Sequence, residues 1–397
     1  MPYPRKHFFL FFQLKVNRKN NTGISVYLHI PFCLKKCNYC DFISFDYSFG
    51  DLQKYLLYLK KEIDILFSKF PASRFSLKSL YLGGGTPSLM SAELLSDLVE
   101  HLSKYFDFST LIEFTIEANP ETVEFDKFKG FRQFGVNRVS LGAQSFDDES
   151  LKLLGRVHDS KKIYKSFEIL RKSGFDNINL DLMFALPEET IEDVMFSLSE
   201  AIKLSPEHIS FYSLTIERGT KFFKIRDSLG IPQENEQAKH YKMGIKLLEG
   251  HGYKQYEISN FSKEGFQSIH NLSYWLSFPY AGFGIAAGSF ISRIRRRNVL
   301  NLKSYYEKID SGMLPIGLFE HLTERRQKGE YIMMCLRLKG GCKNSLYYDR
   351  FGVFPVTDFG NEISNLSKMK LLKADKEGFS LTSKGLLIAN QVMEYFI

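Results

Sequence analysis

Three cysteines, Cys33, Cys37 and Cys40, lie within one short segment of the chain. Thiolates this close repel one another unless a metal neutralises them or they stay protonated. Three soft sulfur ligands suit either zinc or an iron–sulfur cluster. Zinc needs a fourth ligand, and the nearest candidate, His29, lies inside a predicted strand. Because cubane clusters usually take four cysteines and no fourth is nearby, the spacing predicts a 4Fe-4S cluster with one iron open to an external ligand.

Further polar or glycine-rich positions follow the next predicted strands. A glycine triplet, 83–85, lets the backbone approach a ligand without interference from Cβ. The amide of Gln144 offers both a donor and an acceptor, and the guanidinium of Arg156 can form two hydrogen bonds with a carboxylate. Asp181 is an acid in an otherwise apolar strand, so it needs a polar partner. Each residue alone could be structural, but together they predict one small-molecule pocket. The candidates are Gly84, Gly85, Thr86, Glu117, Gln144, Arg156 and Asp181.

The elements that carry these residues alternate regularly from residue 24 to about residue 250. Six strand–helix units in a row predict a parallel sheet with right-handed crossovers. All six strand ends contribute unusual residues, which favours a barrel mouth over the crevice of an open sheet. We therefore predict an α/β fold with an incomplete (β/α)6 barrel. The predicted strands are 24–30, 77–82, 111–118, 137–141, 177–184 and 208–214, and the predicted helices are 52–67, 92–105, 123–134, 163–172, 191–204 and 237–248.

The remaining segments follow a different pattern. We assign residues 1–23 to a flexible N-terminal leader, because their apolar block is too short for a secretory signal. Residues 24–250 form the barrel, and residues 251–320, which lack a clean period, form a connection that covers it. Residues 321–397 predict a mainly α, winged-helix-like C-terminal domain, with helices near 327–338, 362–368 and 384–395 and a short strand at 379–382.

Composition excludes several classes of protein. A chain of 397 residues suits one large and one smaller domain, and a net charge of +8 needs no special partner. The dense basic run within 293–297 lacks interleaved aromatic residues, so we expect no nucleic-acid partner. The sequence has no stretch long and apolar enough for a membrane span. Five cysteines, three of them clustered, argue against a secreted disulfide scaffold and favour the reducing cytoplasm.

The spacing Cys-x3-Cys-x2-Cys resembles that of the radical S-adenosylmethionine (SAM) superfamily. In that superfamily the open iron chelates the methionine amino and carboxylate groups, and the cluster's electron cleaves the sulfonium to give a 5′-deoxyadenosyl radical. Segments 27–33, 83–87, 117–120, 142–146 and 155–158 together resemble the oxygen-independent coproporphyrinogen III oxidase family, HemN, and its heme-chaperone branch, HemW. The resemblance runs from about residue 24 to the end. It implies that SAM contacts Tyr27, Tyr39, Gly84, Gly85, Thr86, Glu117, Gln144, Arg156 and Asp181.

Two features distinguish the branches of this family. The oxidase has an extra cysteine two positions after the third ligand, where this chain has Phe42. The chaperone branch has a His-Asn-x-x-Tyr-Trp element, present here at 270–275. An imidazole can ligate heme iron, and neighbouring aromatic rings can flank a macrocycle, so His270 is the predicted heme ligand. The alternative is an aromatic packing cluster with a hydrogen-bonded histidine. Ala287 departs from the family pattern, which has a histidine there.

The resemblance implies a heme chaperone that binds heme and transfers it to an acceptor protein, with a 4Fe-4S cluster and SAM as cofactors. The alternative is oxidative decarboxylation of coproporphyrinogen III, and whether the chain is an enzyme stays open. A third reading is a purely structural zinc or cluster protein. The expected partners are heme or a related tetrapyrrole, an acceptor that could be membrane-associated, and an electron donor for the cluster. The arginines within 293–297 could pair with propionates or form a solvated surface.

Overall fold

The computed structural model describes residues 23–68 and 74–397. The predicted leader, residues 1–23, lies outside the described residues except for Gly23, so its assignment stays a prediction. Across the two described ranges, no helix combines the length and apolar character that a membrane span requires.

Six parallel strands form the barrel wall, and each pairs with the next strand along the chain. Within the described residues, no pairing joins the sixth strand back to the first, so the wall is open on one side. The predicted incomplete (β/α)6 barrel is therefore confirmed. The strands are β1 Ile24–Ile30, β2 Phe75–Gly84, β3 Glu113–Ala118, β4 Arg138–Gln144, β5 Ile178–Phe184 and β6 His208–Ser213.

The helices after these strands pack their apolar faces against the outside of the barrel. In the helix Ile191–Leu204, a capping box begins the helix, and Val194, Leu198 and Ala201 recur on its buried face. The same spacing marks the other units, so the six predicted helices overlap the observed ones closely. These helices are Phe49–Phe67, Ala92–Ser103, Phe125–Gln133, Ser160–Lys172, Ile191–Leu204 and Glu234–Gly250, with shorter helices at Asp148–Leu153 and Lys221–Lys224.

The two faces of each barrel strand carry different chemistry, because successive side chains point to opposite faces. One face is apolar and buried beneath the helices, as at Val26 and Leu80. The other face lines the barrel interior and is polar. Ser79 Oγ of β2 donates to Ser25 Oγ of β1 at 2.8 Å, and Ser140 of β4 shares hydrogen bonds with β5. The interior is thus suited to polar groups rather than to a dry core.

Short strands extend the sheet at both edges. On one side, β7 Lys254–Gln255 pairs antiparallel with β8 Asn260–Ser262, and β8 pairs antiparallel with β6. Beside β1 lies β9 Tyr280–Phe283, which is parallel to β1. Three antiparallel strands continue from it: β10 Gly288–Ile291, β11 Ile294–Asn298 and β12 Ile316–His321. The region interpreted as a covering connection therefore also enlarges the sheet; its strands are too short for a period to show in the sequence.

The basic run lies on β11 and is divided by the alternation of the strand. Arg296 is only 2% exposed and lies close to the buried carboxyl of Glu62, whereas Arg297 is exposed. Arg295 pairs with Glu320 across the β11–β12 ladder at 3.4 Å. The run is therefore not a uniformly solvated surface, because a strand turns alternate residues inward.

The C-terminal part has its own core and is mainly helical, as predicted. Its order is the helix Glu324–Cys335, strand β13 Cys342–Lys343, the helices Asn344–Phe351 and Pro355–Lys368, and a hairpin of β14 Leu372–Asp375 and β15 Gly378–Leu381. This is the order of elements in a winged helix. The predicted final helix is two helices, Ser383–Leu387 and Ala389–Glu394, because the backbone of Ile388 leaves the helical region. The domain limits at 250 and 320 stay predictions.

Candidate functional site

The cysteine loop follows β1 and lies over the carboxyl ends of the barrel strands. Cys33 belongs to the two-residue strand Phe32–Cys33, which pairs with Phe45–Asp46, so the start and the end of the loop lie side by side. The middle of the loop is held by the turn after β4: Asn38 N donates to Leu154 O at 2.9 Å. Phe222, after β6, donates its amide to Asn38 O at 2.9 Å. Three separate parts of the barrel mouth thus fix the loop.

Two donors point at the sulfur atoms. Thr86 Oγ1 lies 3.7 Å from Cys33 Sγ, and Arg156 Nη1 lies 3.4 Å from Cys37 Sγ. Burial raises the pKa of the Cys33 thiol, and raises that of Cys40 to about 11. Thiolates at these positions therefore need added positive charge, which a bound metal cluster supplies.

The three thiols and their donors fit an iron–sulfur cluster. In the part of the chain that the structure describes, no three side chains from His, Cys, Asp and Glu converge closely enough to hold one metal ion. A cubane does not require such convergence, because each thiolate bonds a different iron. Half-buried sulfurs with hydrogen-bond donors beside them are the surroundings that tune such clusters.

The glycine triplet ends β2 directly beneath this loop. Gly84 has φ +109°, and a Cβ there would lie 2.4 Å from the imidazole of His29. A Cβ on Gly85 would lie 2.6 Å from Phe32 O. The amides of Gly85 and Thr86 donate to the backbone of Ile30 and Phe32 at 2.9 and 2.7 Å. The triplet therefore lets β2 pack tightly under the segment that leads into the cysteine loop.

Glu117 accepts two hydrogen bonds at the end of β3. The Tyr81 hydroxyl donates to Oε1 at 2.8 Å, and Gly84 N donates to Oε2 at 3.0 Å. Burial, together with the nearby charge of Asp181, raises the pKa of this carboxyl to about 7 against the lowering effect of the Tyr81 hydrogen bond. Glu117 is therefore an acid that changes charge near neutral pH.

A hydrogen-bonded chain joins two of the cysteines across the mouth. Asn119 Nδ2 donates to Thr86 Oγ1 at 2.9 Å, and Arg156 Nη2 donates to Asn119 Oδ1 and, at 3.0 Å, to Gly142 O. Burial lowers the pKa of the Arg156 guanidinium, but Tyr39 and the Cys37 thiol outweigh this effect and raise it, so the group stays cationic. Asn119 was not singled out from the sequence, although its place directly after β3 was a usable signal.

The remaining predicted SAM residues line the same interior. Gln144 has φ +69°, and its Oε1 accepts from the Tyr212 hydroxyl at 2.9 Å. Asp181 accepts from Ser140 Oγ at 3.1 Å, and burial raises its pKa. The Tyr27 hydroxyl lies 3.0 Å from His29 Nδ1 at the end of β1. Tyr39, in the cysteine loop, packs against the apolar cluster that includes Leu154 and Met183 and lies close to Arg156. The structure therefore brings the predicted residues of the mouth together, while their contacts with a ligand stay predictions.

His270 lies apart from the cysteine loop, in the helix Ile269–Trp275. Its Nδ1 lies 2.9 Å from Ser79 Oγ, its Nε2 lies 2.8 Å from the Tyr274 hydroxyl, and its ring stacks on Tyr81. Burial, with the charge of Arg138, lowers the pKa of His270 to about 3, so the imidazole is neutral. Both ring nitrogens have partners, so iron ligation by His270 requires one of these hydrogen bonds to open.

Two family models match the chain: the Radical SAM superfamily over residues 27–201 and the HemN C-terminal domain over residues 322–388. A relative named "Heme chaperone HemW" from Bacillus subtilis is 35% identical over 376 residues, which cover 94% of this chain and 99% of the relative. The chain belongs to the HemW family of radical SAM proteins. The HemW relative from Lactococcus lactis is also 35% identical, over 94% of this chain and 97% of its own length.

A solved structure agrees with the fold of this HemW family member. The coproporphyrinogen III oxidase HemN from Escherichia coli superposes with a TM-score of 0.82 and 24% identity, covering 95% of this chain and 91% of that chain. This identity supports the fold alone. Membership of the radical SAM superfamily implies a 4Fe-4S cluster and SAM, as the cysteine spacing predicts. In that superfamily such a cluster supplies the electron that cleaves the sulfonium of SAM, and here Cys33, Cys37 and Cys40 would hold it.

Proposed function

We propose that the chain is a heme chaperone that binds heme and transfers it to an acceptor protein. The observation that carries this proposal is the similarity of nearly the whole chain to proteins named as heme chaperones. The similarity covers both the barrel and the C-terminal part rather than the radical SAM segment alone. A protein that shared only the cofactor machinery would have no reason to match over this length.

In this proposal Cys33, Cys37 and Cys40 hold the 4Fe-4S cluster. The SAM molecule lies at the barrel mouth, where the cationic Arg156 and the acidic Glu117 complement its carboxylate and amino groups. The other proposed SAM contacts are Tyr27, Tyr39, Gly84, Gly85, Thr86, Gln144 and Asp181. Together with Glu117 and Arg156, these residues lie at, after or inside the carboxyl ends of five neighbouring strands, β1 to β5, which supports the proposal.

Phe42 favours the chaperone over the oxidase. It stands where the oxidase has its extra cysteine, and 60% of its surface is exposed beside the cysteine loop. An exposed phenylalanine cannot replace a thiol as a ligand or as a redox group. Oxidative decarboxylation is supported by the shared radical machinery but not by a cysteine at Phe42, so we treat that activity as the outcome to be tested against.

The proposed partners follow from the same function. Heme must be passed to an acceptor protein, and the cluster needs an electron donor if SAM is cleaved. We propose that the protein acts in the cytoplasm, where three clustered cysteines stay reduced, and where it can meet both soluble and membrane-associated acceptors.

An anaerobic heme titration tests the proposal. We expect the purified protein to bind heme, seen as a Soret absorbance change, and to pass it to an apo-acceptor such as a heme-free cytochrome. His270→Ala should weaken heme binding if His270 is the ligand. His251→Ala is the matched control, because His251 is exposed on another helix end.

The same preparation separates the alternatives. Protoporphyrinogen formation from coproporphyrinogen III, with reductant and SAM beside an active oxidase control, would overturn the chaperone proposal if heme transfer were absent. Iron and sulfide determination distinguishes a cluster from zinc. Unchanged heme affinity in His270→Ala would refute the assigned ligand but not the function.

A further inference from the structure

The outer side of the cysteine loop carries large apolar side chains that face solvent. Leu34 is 49% exposed, and Phe42, at the other end of the loop, is 60% exposed. Leu153, after β4, and Ile225, after β6, are exposed as well. One exposed apolar side chain is ordinary on a protein surface, whereas several that lie together mark a surface that another molecule covers.

Asn38, in the middle of the cysteine loop, brings these segments together. Its backbone amide donates to Leu154 O at 2.9 Å, and its Nδ2 donates to Leu153 O at 2.8 Å. Its carbonyl oxygen accepts from the amide of Phe222, in the short helix Lys221–Lys224, at 2.9 Å. The exposed residues of the three segments therefore form one surface, the loop surface. Its main residues are Leu34, Lys35, Phe42, Leu153, Lys221 and Lys224.

The charges of the loop surface are mainly positive. Lys35, Lys221 and Lys224 are exposed, and none of them forms an ion pair with any residue that the structure describes. Lys36 is exposed too, with its Nζ donating to Phe42 O at 3.0 Å, and Asp41 is the one acid in the loop sequence 34–42. The flanking charges balance in number: Lys152, Arg218 and Arg226 against Glu149, Glu217 and Asp227. The loop surface therefore attracts a partner with an excess of acidic residues.

The position of the loop surface indicates what such a partner does. It surrounds the three half-buried thiols that would hold the cluster. Because electron transfer between proteins weakens steeply with distance, an electron donor has to dock over this loop. The predicted heme element lies at the other end of the barrel wall, where the Ile269 amide donates to Glu113, the first residue of β3, at 2.7 Å. A protein that takes heme from that element would dock there instead.

We propose that the loop surface docks a small acidic electron-carrier protein that reduces the cluster. This inference rests on the proposed function and adds the residues that receive the electron donor. Docking forms no covalent bond: one electron leaves the carrier's reduced centre and enters the cluster, and no proton or chemical group is transferred. A few apolar side chains among lysines suit a small, transient contact of this kind, because charge guides the encounter and the apolar residues hold it briefly.

A double charge reversal, Lys35→Glu with Lys221→Glu, tests the docking. The probes are a plant-type ferredoxin and a flavodoxin, both small and acidic, and the protein is the anaerobically purified full chain with its cluster. We expect the dissociation constant for each carrier, measured by thermophoresis at low salt, to rise about tenfold or more in the double variant. Added salt should weaken binding to the wild type, because it screens the lysines.

A second variant tests the apolar part of the loop surface. Phe42→Ser should weaken binding of both carriers about threefold or more at low and at high salt, since salt does not screen apolar contacts. Ile112→Ser is its matched control, because Ile112 is exposed just before β3, at the end of the barrel away from the loop.

The matched control for charge is Lys104→Glu with Lys246→Glu. Both lysines are exposed near the carboxyl ends of barrel helices, which lie away from the mouth because the helices run back against the strands. Dithionite is the control reductant, since a small molecule needs no docking surface. It should bleach the cluster absorbance of the double variant at the wild-type rate, with equal iron and sulfide content. If the double variant lacks its cluster, Lys224→Glu, which lies outside the cysteine loop, takes its place.

The outcomes separate this inference from the proposed function. The docking is overturned if the wild type binds neither carrier, or if the charge and apolar variants bind both carriers as the wild type does. It is also overturned if the variants lose affinity for an apo-acceptor of heme instead, because the loop surface would then belong to that acceptor. A wild type that binds the carriers but transfers no heme refutes the proposed function and leaves the docking in place.

Discussion

Glu117 is buried at the barrel mouth, and its carboxylate accepts hydrogen bonds from the Tyr81 hydroxyl and the Gly84 amide. Burial raises its pKa from the ordinary 4.5 to about 7, so between these pH values the folded chain holds a proton that the unfolded chain lacks. The free energy of unfolding therefore decreases as the pH rises through this window. A shift of this size corresponds to at most about 3 kcal/mol.

We expect Glu117→Gln to remove this dependence on pH. The variant cannot ionise, so it should be more stable than the wild type at about pH 8 and lose that advantage at about pH 5. Urea unfolding of the cluster-free protein across this range measures the effect. Glu249→Gln, at an exposed helix position, should follow the wild type. An unchanged pH profile in Glu117→Gln would contradict the assignment of the titration to this carboxyl.

At Arg156 the site needs the several hydrogen-bond donors of a guanidinium as well as its positive charge. Its guanidinium bonds Asn119, Gly142 and the Cys37 sulfur at the same time, which the single ammonium of lysine cannot reproduce. We expect Arg156→Lys to lower SAM affinity about tenfold or more while iron and sulfide content stays near that of the wild type. Equilibrium dialysis with SAM measures the first quantity. Arg218→Lys, at an exposed position, is the control, and equal SAM affinity in both variants would refute the role of the fork.

At the scale of elements, the barrel could be predicted because each unit repeats one pattern. In the helix Ile191–Leu204, buried residues recur at helical spacing after a capping box, and both signals are local in sequence. The strands β9–β11 could not be predicted in this way. Each has only four or five residues, and glycines such as Gly282 and Gly288 interrupt the alternation. The first of them, β9, depends on pairing with β1, which is distant in sequence, and β10 and β11 continue the sheet from β9.

The candidate site could also be predicted only in part. Residues at or directly after strand ends, such as Gln144 and Thr86, could be identified because parallel strands gather their carboxyl ends. Their partners were not identified: Asn119 and Tyr212 bond these or neighbouring residues only through the register between strands. Register is a property of the folded sheet, which residue spacing along the chain does not determine.

Glu113 shows how one strand residue positions a whole helix. Its carboxylate accepts from the Ile269 amide at 2.7 Å, the His270 amide at 3.1 Å and the Ser268 hydroxyl at 3.2 Å, at the start of the helix Ile269–Trp275. Ser268 and His270 are buried, so water replaces a lost carboxylate poorly there. A negative charge at this end also complements the helix dipole.

We expect Glu113→Ala to lower the free energy of unfolding by about 2 kcal/mol or more. Glu113→Gln keeps an acceptor and should cost less. Hydrogen exchange at the Ile269 and His270 amides should quicken in Glu113→Ala before global unfolding occurs. Protection of these amides equal to that in the wild type would show that the helix does not depend on this cap.

At the scale of the whole molecule, the barrel and the added strands are joined by a buried acid. Glu62 belongs to the helix Phe49–Phe67, which covers β1. Its carboxylate accepts from Gly284 N at 2.8 Å, the Tyr305 hydroxyl at 2.7 Å and Asn298 Nδ2 at 2.7 Å. All three donors belong to the segment after β9. The first barrel helix therefore holds the strands that extend the sheet beside β1.

Removing this acid should loosen that whole edge of the sheet. Burial raises the pKa of Glu62, against hydrogen bonds from Gly284, Tyr305 and Asn298 that lower it. We expect Glu62→Ala to cost about 3 kcal/mol or more of unfolding free energy, because it leaves the buried Gly284 amide and Tyr305 hydroxyl without an acceptor, while Asn298 Nδ2 keeps only Gly284 O. Urea unfolding gives the total effect, with Glu249→Ala as the exposed control.

The region in which amide exchange quickens shows whether Glu62 links the added strands to the barrel or is an ordinary core residue. Amide exchange should quicken across β9–β11 in Glu62→Ala, while the amides of β4 and β5, on the far side of the barrel wall, keep their protection. A uniform loss of protection over the whole barrel would instead mean that the added strands and the barrel unfold as one cooperative unit.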